Sequence, residues 1–367
     1  MSHKYPYVFG SSILMIIQLP RAAITLTTAT TTALPLVRRL SIARMTTQSY
    51  QRNGNFTRPD SAFRRFISKD PTSTFPAEKG RYALYVSPGC PWAHRTIIVR
   101  ILKGLESLID LYLVQPRMGP EGWYFSHEGD PLHGFKTLKE LYHLADPNFS
   151  GRYTVPVLWD KKTDTIVNNE SSEIIRMLYS EFDHLLPDHL REPNRPGGGL
   201  YPEKLREEID AMNEWVYNTV NNGVYKTGFA TTQEAYEKNV FPIFDSLDRL
   251  EGILGHGKPY LLGDHVTEAD VRLYTTIVRF DVAYHPVFLC NLKSIRHDYP
   301  RLHLWLRRLY WDADEDGETR GAFFKSTEPY LNLYGGGYAE ARHKIVFKDA
   351  GPLVIPAGPA VLIEPLP

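Results

Sequence analysis

Apolar and polar positions along this chain follow two rhythms, and the change from one to the other divides it. Tyr82-Ala-Leu-Tyr-Val86 is a run of strand formers. After it, Ile97, Ile98, Ile101, Leu102 and Leu105 recur at helical spacing, which predicts a helix over 91–108. Ile109-Asp-Leu-Tyr-Leu-Val-Gln115 alternates as a second strand, so the folded region opens strand, helix, strand. Residues 116–152, rich in Gly, Pro and His, read as an inserted loop with one short helix over 137–144. Two short apolar runs, 155–159 and 165–167, flank the polar stretch 160–164 and predict a hairpin. The stretch 171–179 then predicts a helix with Glu170 and Ser171 at its mouth.

The run "PNRPGGGLYP", residues 193–202, has the composition of a linker. Beyond it the helical period takes over. Leu205, Ile209, Met212, Trp215, Val216 and Val220 lie on one helix face, and Val240, Phe244, Leu247, Leu250 and Leu254 on another. Thr267 with Asp270 three residues later predicts a capped helix start ahead of the apolar stretch 271–278, which belongs in the core. The expected organisation is an α/β domain over 60–192, a linker over 193–202, an all-helical domain over 203–328 and a C-terminal extension over 329–367. Two domains suit the length, because single cores stop growing near about 250–300 residues.

Composition changes the picture at one end only. Residues 1–59 contain no acidic residue while Lys4, Arg21, Arg38, Arg39, Arg44, Arg52 and Arg58 are basic, a pattern that predicts a mitochondrial targeting leader. A signal peptide or plain disorder are the other readings of this stretch. Met45 offers a second start and hence a cytoplasmic form. The apolar run 13–17 is far short of the ~20 residues that a membrane span needs. Over the whole chain, Lys+Arg 42 balances Asp+Glu 42, so no net field recruits nucleic acid or an anionic membrane. Cys90 and Cys290, the two cysteines, exclude a disulfide framework and a cysteine-built zinc site.

Cys90 stands in "SPGCPWAHR", between a strand and a helix. There, free backbone N–H groups and the positive end of the helix dipole favour thiolate over thiol. Pro91 suits the first helical position, and Ser87-Pro-Gly89 turns the chain. The alternative is a cysteine that only packs as a small apolar residue. Ala93 stands where a dithiol motif has its second cysteine, so a thiol from solution has to release anything bound to Cys90.

Five stretches then fall in one order: Cys90-Pro-Trp-Ala-His-Arg95, Gly122-Trp-Tyr-Phe125, Thr154-Val-Pro-Val157, Asn169-Glu-Ser171 and Asn221-Asn-Gly-Val-Tyr-Lys226. Together they resemble the glutathionyl-hydroquinone reductases, the omega-like xi class of glutathione transferases, over residues 60–310. The resemblance implies a thioredoxin-like glutathione-binding domain followed by an all-helical transferase domain, assembled as a homodimer, with glutathione as co-substrate and no metal.

It also implies roles. Val155 and Pro156 match a cis-proline site whose Val155 backbone pairs with the cysteinyl part of glutathione; an edge-strand proline is the alternative. Glu170 and Ser171 would take the ammonium and carboxylate of the γ-glutamyl end, a role that can coexist with plain helix capping. Arg152 would take the other carboxylate or remain a solvated loop charge. Trp123 would contact glutathione or belong to the core.

The implied reaction removes glutathione from an S-glutathionyl-hydroquinone through a Cys90–glutathione mixed disulfide, resolved by a second glutathione. Tyr225 is implied as proton donor and Tyr284 as a partner of the cysteine sulfur, with Tyr217 lining the same cleft. Tyr338 is the positional match for a third tyrosine, with Tyr334 as the alternative, because the chain departs from the family pattern after residue 312. Two other functions stay open: an omega-like thiol transferase or dehydroascorbate reductase, and a non-catalytic ligand-binding module. His127, His133 and His143 lack metal-ligand spacing and read as solvated, and Cys290 as buried without chemistry.

Overall fold

In the computed structural model, which describes residues 53–367, a fully buried strand β1 (Tyr82–Val86) leads into α1 (Pro91–Leu102). β2 (Ile109–Leu113) pairs with β1 in parallel, Leu84 opposite Leu111, as a crossover helix allows. β3 (Val157–Asp160) runs antiparallel along the other edge of β1, and β4 (Thr165–Asn168) completes the hairpin, giving the order β2-β1-β3-β4. α3 (Ser171–Ser180) packs beside α1 on the sheet, and α2 (Leu138–Ala145) lies in the insertion with a capping box between Thr137 and Glu140. The fold class is as expected, α/β followed by all-α. Residues 1–52, which carry most of the leader reading, lie outside the described residues.

α1 ends earlier than the apolar spacing implies. Gly104 adopts φ +66°, its N–H donates to the Ile101 carbonyl and that of Leu105 to the Arg100 carbonyl, both at 2.9 Å. This is a Schellman stop that the left-handed glycine permits. Leu105 and Leu108 still fill the core from the turn beyond it, and so extend the apparent period. Two histidine readings also change. His127 is exposed, but His133 stacks on Phe135 and bonds Asp164 at 3.1 Å, and His143 bonds the Tyr153 hydroxyl at 2.9 Å.

The stretch 193–202 is tied down rather than loose. Glu192 turns back to accept from the N–H groups of Leu200 and Tyr201, and also receives Lys103 Nζ at 3.2 Å. Gly199, at φ +96°, leaves room for that carboxylate, whose carbon would lie 2.4 Å from any Cβ there.

The helical domain comprises α4 (Arg206–Val216), α5 (Gly223–Gly228), α6 (Gln233–Ile253), α7 (Glu268–Ile277), a single turn α8 (His285–Val287), α9 (Ile295–Asp298), α10 (Pro300–Trp311), α11 (Ala322–Thr327) and α12 (Tyr334–Val346). α7 is buried along its whole length and begins with the expected Thr267–Asp270 capping box. Two wide π turns, at Tyr217–Asn221 and Phe280–Tyr284, interrupt the helical domain after α4 and after α7. Such turns re-aim side chains and recur at functional sites. The C-terminal extension folds back on the domain: Arg296 donates to the carbonyls of Val361 and Leu362 at 3.1 Å, and Trp311 to that of Glu364 at 2.7 Å.

Candidate active site

Cys90 is the N-cap residue of α1, with Pro91 at the first helical position. Its sulfur is half-buried and faces the backbone N–H groups of Trp92 and Ala93. The thiol donates to the Val155 carbonyl at 3.6 Å, and the Val155–Pro156 bond is cis. Residues 65 positions apart in the chain are thus brought together.

A buried arginine that no motif announced stands behind this turn. Arg279, fully buried, donates to the carbonyls of Pro88 and Thr275 at 2.7 Å and to His94 Nδ1 at 3.0 Å, and its guanidinium lies 4.0 Å over the Tyr334 ring. Because Arg279 carries only donors, His94 Nδ1 accepts, and His94 Nε2 is left to donate to Ser326 Oγ at 2.9 Å. Burial and then the Arg279 charge hold the His94 pKa well below its ordinary value, so the ring is neutral. Burial pulls Arg279 down, but the oxygens of Tyr334, Tyr338, Tyr284 and Tyr225 outweigh it and keep the guanidinium charged.

Tyr225, Tyr284 and Tyr338 converge from three separate elements. Tyr338 Oη lies 3.0 Å from Tyr284 Oη and 3.3 Å from Tyr225 Oη, and it donates to the Gly89 carbonyl at 3.3 Å. Tyr338 therefore accepts from both neighbours while touching the residue that precedes Cys90. Burial raises all three phenol pKa values, so each remains a proton donor at neutral pH. Tyr334 is excluded from this trio; its hydroxyl is buried without a partner beneath Arg279. Tyr217 sits nearby, its ring 5.8 Å from that of Trp92.

The two asparagines ahead of Tyr225 hold this corner together. Buried Asn221 accepts from Arg95 at 2.9 Å and donates to the Arg272 carbonyl and to Thr276, while Asn222 accepts from Arg58 Nε at 3.0 Å. Trp92 is flanked by the guanidinium groups of Arg95, 4.7 Å from its ring, and Arg58, 4.8 Å away. Sequence reading passed over Arg58, Trp92, His94, Arg95 and Arg279. Arg58 falls inside the stretch assigned to the leader, and His94, Arg95 and Arg279 act through contacts across more than a hundred residues.

At the start of α3, Glu170 caps the helix by accepting from Ser172 N at 3.1 Å and also receives Ser61 Oγ at 3.0 Å. Ser171 is 3% exposed and its hydroxyl has no hydrogen-bond partner among the described residues. A cavity of about 400 Å³ beside it is lined by Ser172, Arg176, Tyr217 and Arg272 among others. Arg152 is exposed on the loop before Val155, without an ion-pair partner among the described residues. Trp123, half-buried, packs against the core. Neither makes a hydrogen bond or ring contact with Cys90 or the three tyrosines.

The structure corrects one electrostatic expectation. The helix N-terminus predicted a depressed thiol pKa, but burial raises that of Cys90 more than the Ala93 and Trp92 amides and the Arg279 and Arg58 charges lower it. Cys290 is buried, as expected, its thiol pKa also raised by burial.

Residues 89–181 match the family model of the glutathione S-transferase N-terminal domain, and residues 233–308 that of the C-terminal domain. Schizosaccharomyces pombe glutathione S-transferase omega-like 2 is 56% identical over 273 residues, covering 73% of this chain and 86% of its own length. The crystal structure of the glutathione S-transferase Xi from Phanerochaete chrysosporium matches with a TM-score of 0.78 at 48% identity, over 87% of this chain and 97% of that one. The chain belongs to the xi class of glutathione transferases.

A further relative of this xi-class transferase is the Escherichia coli glutathionyl-hydroquinone reductase YqjG, 51% identical over 70% of this chain and 79% of its own. The glutathione-bound structure of YqjG matches with a TM-score of 0.72 at 45% identity, over 83% and 95% of the two chains. Among the described residues of the transferase, no group of three or more His, Cys, Asp or Glu could hold a metal ion, and no helix is long and apolar enough to cross a membrane.

Proposed function

We propose that this xi-class transferase reduces S-glutathionyl-hydroquinones to hydroquinones through a Cys90–glutathione mixed disulfide. The observation that carries the reading is the convergence of the Tyr225, Tyr284 and Tyr338 hydroxyls beside the turn that presents Cys90. Thiol exchange alone needs a sulfur and a glutathione site. Breaking a carbon–sulfur bond on an aromatic ring also needs proton donors, because carbon leaves only from a keto tautomer.

In this mechanism, Tyr225 protonates the ring carbon that carries sulfur, and a ring hydroxyl returns a proton to the Tyr225 oxygen, leaving the keto tautomer. The Cys90 thiolate attacks the glutathione sulfur, and the carbon–sulfur electron pair returns to the ring, which becomes aromatic again. Cys90 is left in a disulfide with glutathione. A second glutathione thiolate attacks the glutathione sulfur of that disulfide, releasing glutathione disulfide and the Cys90 thiolate. The kinetics are ping-pong. Glutathione itself would lie against the Val155 backbone, with its γ-glutamyl carboxylate at Ser171 and the α3 N-terminus, its ammonium at Glu170, and Arg152 and Trp123 at its other end.

The test compares a glutathionyl-hydroquinone, a glutathionylated peptide and dehydroascorbate as substrates of the purified protein. The reading expects the hydroquinone to have the highest kcat/KM and mass spectrometry to find glutathione on Cys90. Preference for the peptide or dehydroascorbate would instead make this an omega-like thiol transferase. Ser171→Ala supplies a second check. A hydrogen bond to a charged group contributes about 1.5–3 kcal/mol, so affinity for glutathione should fall at least about tenfold. The thermal midpoint should hold or rise slightly, since that buried hydroxyl has no hydrogen-bond partner among the described residues.

A further inference from the structure

Arg58 lies outside every motif of the sequence, yet it stands over the site. The segment that carries it is laced to the helical domain: Thr231 N donates to Gly54 O and Thr232 Oγ1 to Asn53 O, both at 3.2 Å, and Phe56 packs edge-on against Phe229 with centroids 5.2 Å apart. Just beyond Arg58 the chain crosses to the α/β domain, where Ser61 bonds Glu170 and Phe63 N donates to Asn169 at 3.0 Å. Residues 53–63 thus form a strap between the two domains, and Arg58 is at the crossing.

Its guanidinium is held over the rings of Trp92 at 4.8 Å, Tyr225 at 4.9 Å and Phe56 at 5.5 Å, with Nε donating to Asn222. Among the described residues no carboxylate pairs with it, and its Nη groups make no hydrogen bond. Cys90, Tyr225 and the unpaired Arg152 are all within its electrostatic reach. A half-buried cation fixed by aromatic faces and one amide, with donors to spare, is a preorganised fork for an anionic oxygen.

We infer that Arg58 holds a ring oxygen of the aromatic substrate and stabilises the negative charge that appears there as the carbon–sulfur bond breaks. The inference rests on the hydroquinone reading. In the keto tautomer, the sulfur-bearing carbon sits beside a C=O group. When the Cys90 thiolate forms its bond to the glutathione sulfur, the carbon–sulfur pair moves into the ring and onto that oxygen as an enolate. The oxygen then takes up the proton that the Cys90 thiol released on ionising, so charge and atoms balance. A guanidinium already in place costs no reorganisation at that moment, the condition under which such donors act most strongly.

The test uses Arg58→Gln and Arg58→Lys in the full chain with two substrates. One is a glutathionyl-hydroquinone; the other is the mixed disulfide of glutathione and 2-mercaptoethanol, which needs Cys90 and glutathione but has no ring oxygen. The inference expects kcat/KM for the hydroquinone to fall by ~100-fold in Arg58→Gln, the loss typical of one such donor, and to recover in part in Arg58→Lys. Mixed-disulfide turnover should fall only by the smaller factor that follows from losing the Arg58 charge near the Cys90 thiol, a loss that Arg58→Lys reverses, while KM for glutathione should hold. A parallel loss on both substrates, or a rise in KM for glutathione alone, would place Arg58 on the thiol or glutathione side and overturn the inference, as would full hydroquinone turnover by Arg58→Gln. If the wild-type protein leaves the hydroquinone untouched while reducing the mixed disulfide, the functional reading fails and takes this inference with it.

Discussion

Replacing Cys90 by serine should lower turnover of a glutathionyl-hydroquinone by about 10⁴-fold or more, the scale seen when a nucleophile is removed. The neighbouring groups explain why a hydroxyl cannot substitute. The amides of Trp92 and Ala93 and the charges of Arg279 and Arg58 bring a thiol part of the way to its anion against burial, but a serine hydroxyl starts too far above neutral pH for them to matter. Serine also cannot form the disulfide on which the second glutathione acts. Mass spectrometry should find glutathione on the wild-type protein and none on Cys90→Ser, while the variant still binds glutathione and can retain some conjugating activity. Full turnover by Cys90→Ser would remove the mixed disulfide from the mechanism.

The second large effect is expected at Arg279. In Arg279→Met the carbonyls of Pro88 and Thr275 and the Nδ1 of His94 lose their donor. Each buried acceptor left unpaired costs about 1–3 kcal/mol, so stability should fall by about 3 kcal/mol or more. A second readout separates this structural part from electrostatics. Burial already places the Cys90 pKa above its ordinary range, and Arg279 is among the groups that restrain it. Positive charge favours the thiolate, so its loss must raise that pKa further, and one unit cuts the thiolate present at pH 7 about tenfold. Alkylation of Cys90 followed against pH should show its midpoint move upward in Arg279→Met and return toward wild type in Arg279→Lys. A midpoint that stays put while stability falls would leave Arg279 a structural residue only.

These two residues differ in how far the sequence announces them. Cys90 could be placed because a strand, a Ser-Pro-Gly turn and a proline at the first helical position are local signals, and local backbone preferences decide such turns. The hairpin and the capped start of α7 were legible for the same reason. Tyr225, Tyr284 and Tyr338 came from resemblance, as did the Val155–Pro156 site; nothing in the spacing of the tyrosines says that three hydroxyls from a short helix, a wide turn and a C-terminal helix meet. The roles of Arg279 and His94 were hidden, since their bond spans 185 positions; His94 stands in the Cys90 motif, but nothing there says what its ring meets. Arg58 was misread because a basic residue in an acid-free stretch looks like targeting sequence. The direction of the thiol pKa was missed because burial belongs to the folded surroundings, whereas the amides at a helix start are visible in the order of residues.

The third tyrosine of the trio sits on α12, beyond the span matched by the transferase domain model. This tyrosine thus lies in a stretch of chain separate from Cys90, Val155, Glu170 and Ser171, and the two can drift at different speeds. Swapping the last helix between relatives would exchange the hydroxyl that touches Gly89 while leaving Cys90, Val155 and Ser171 in place.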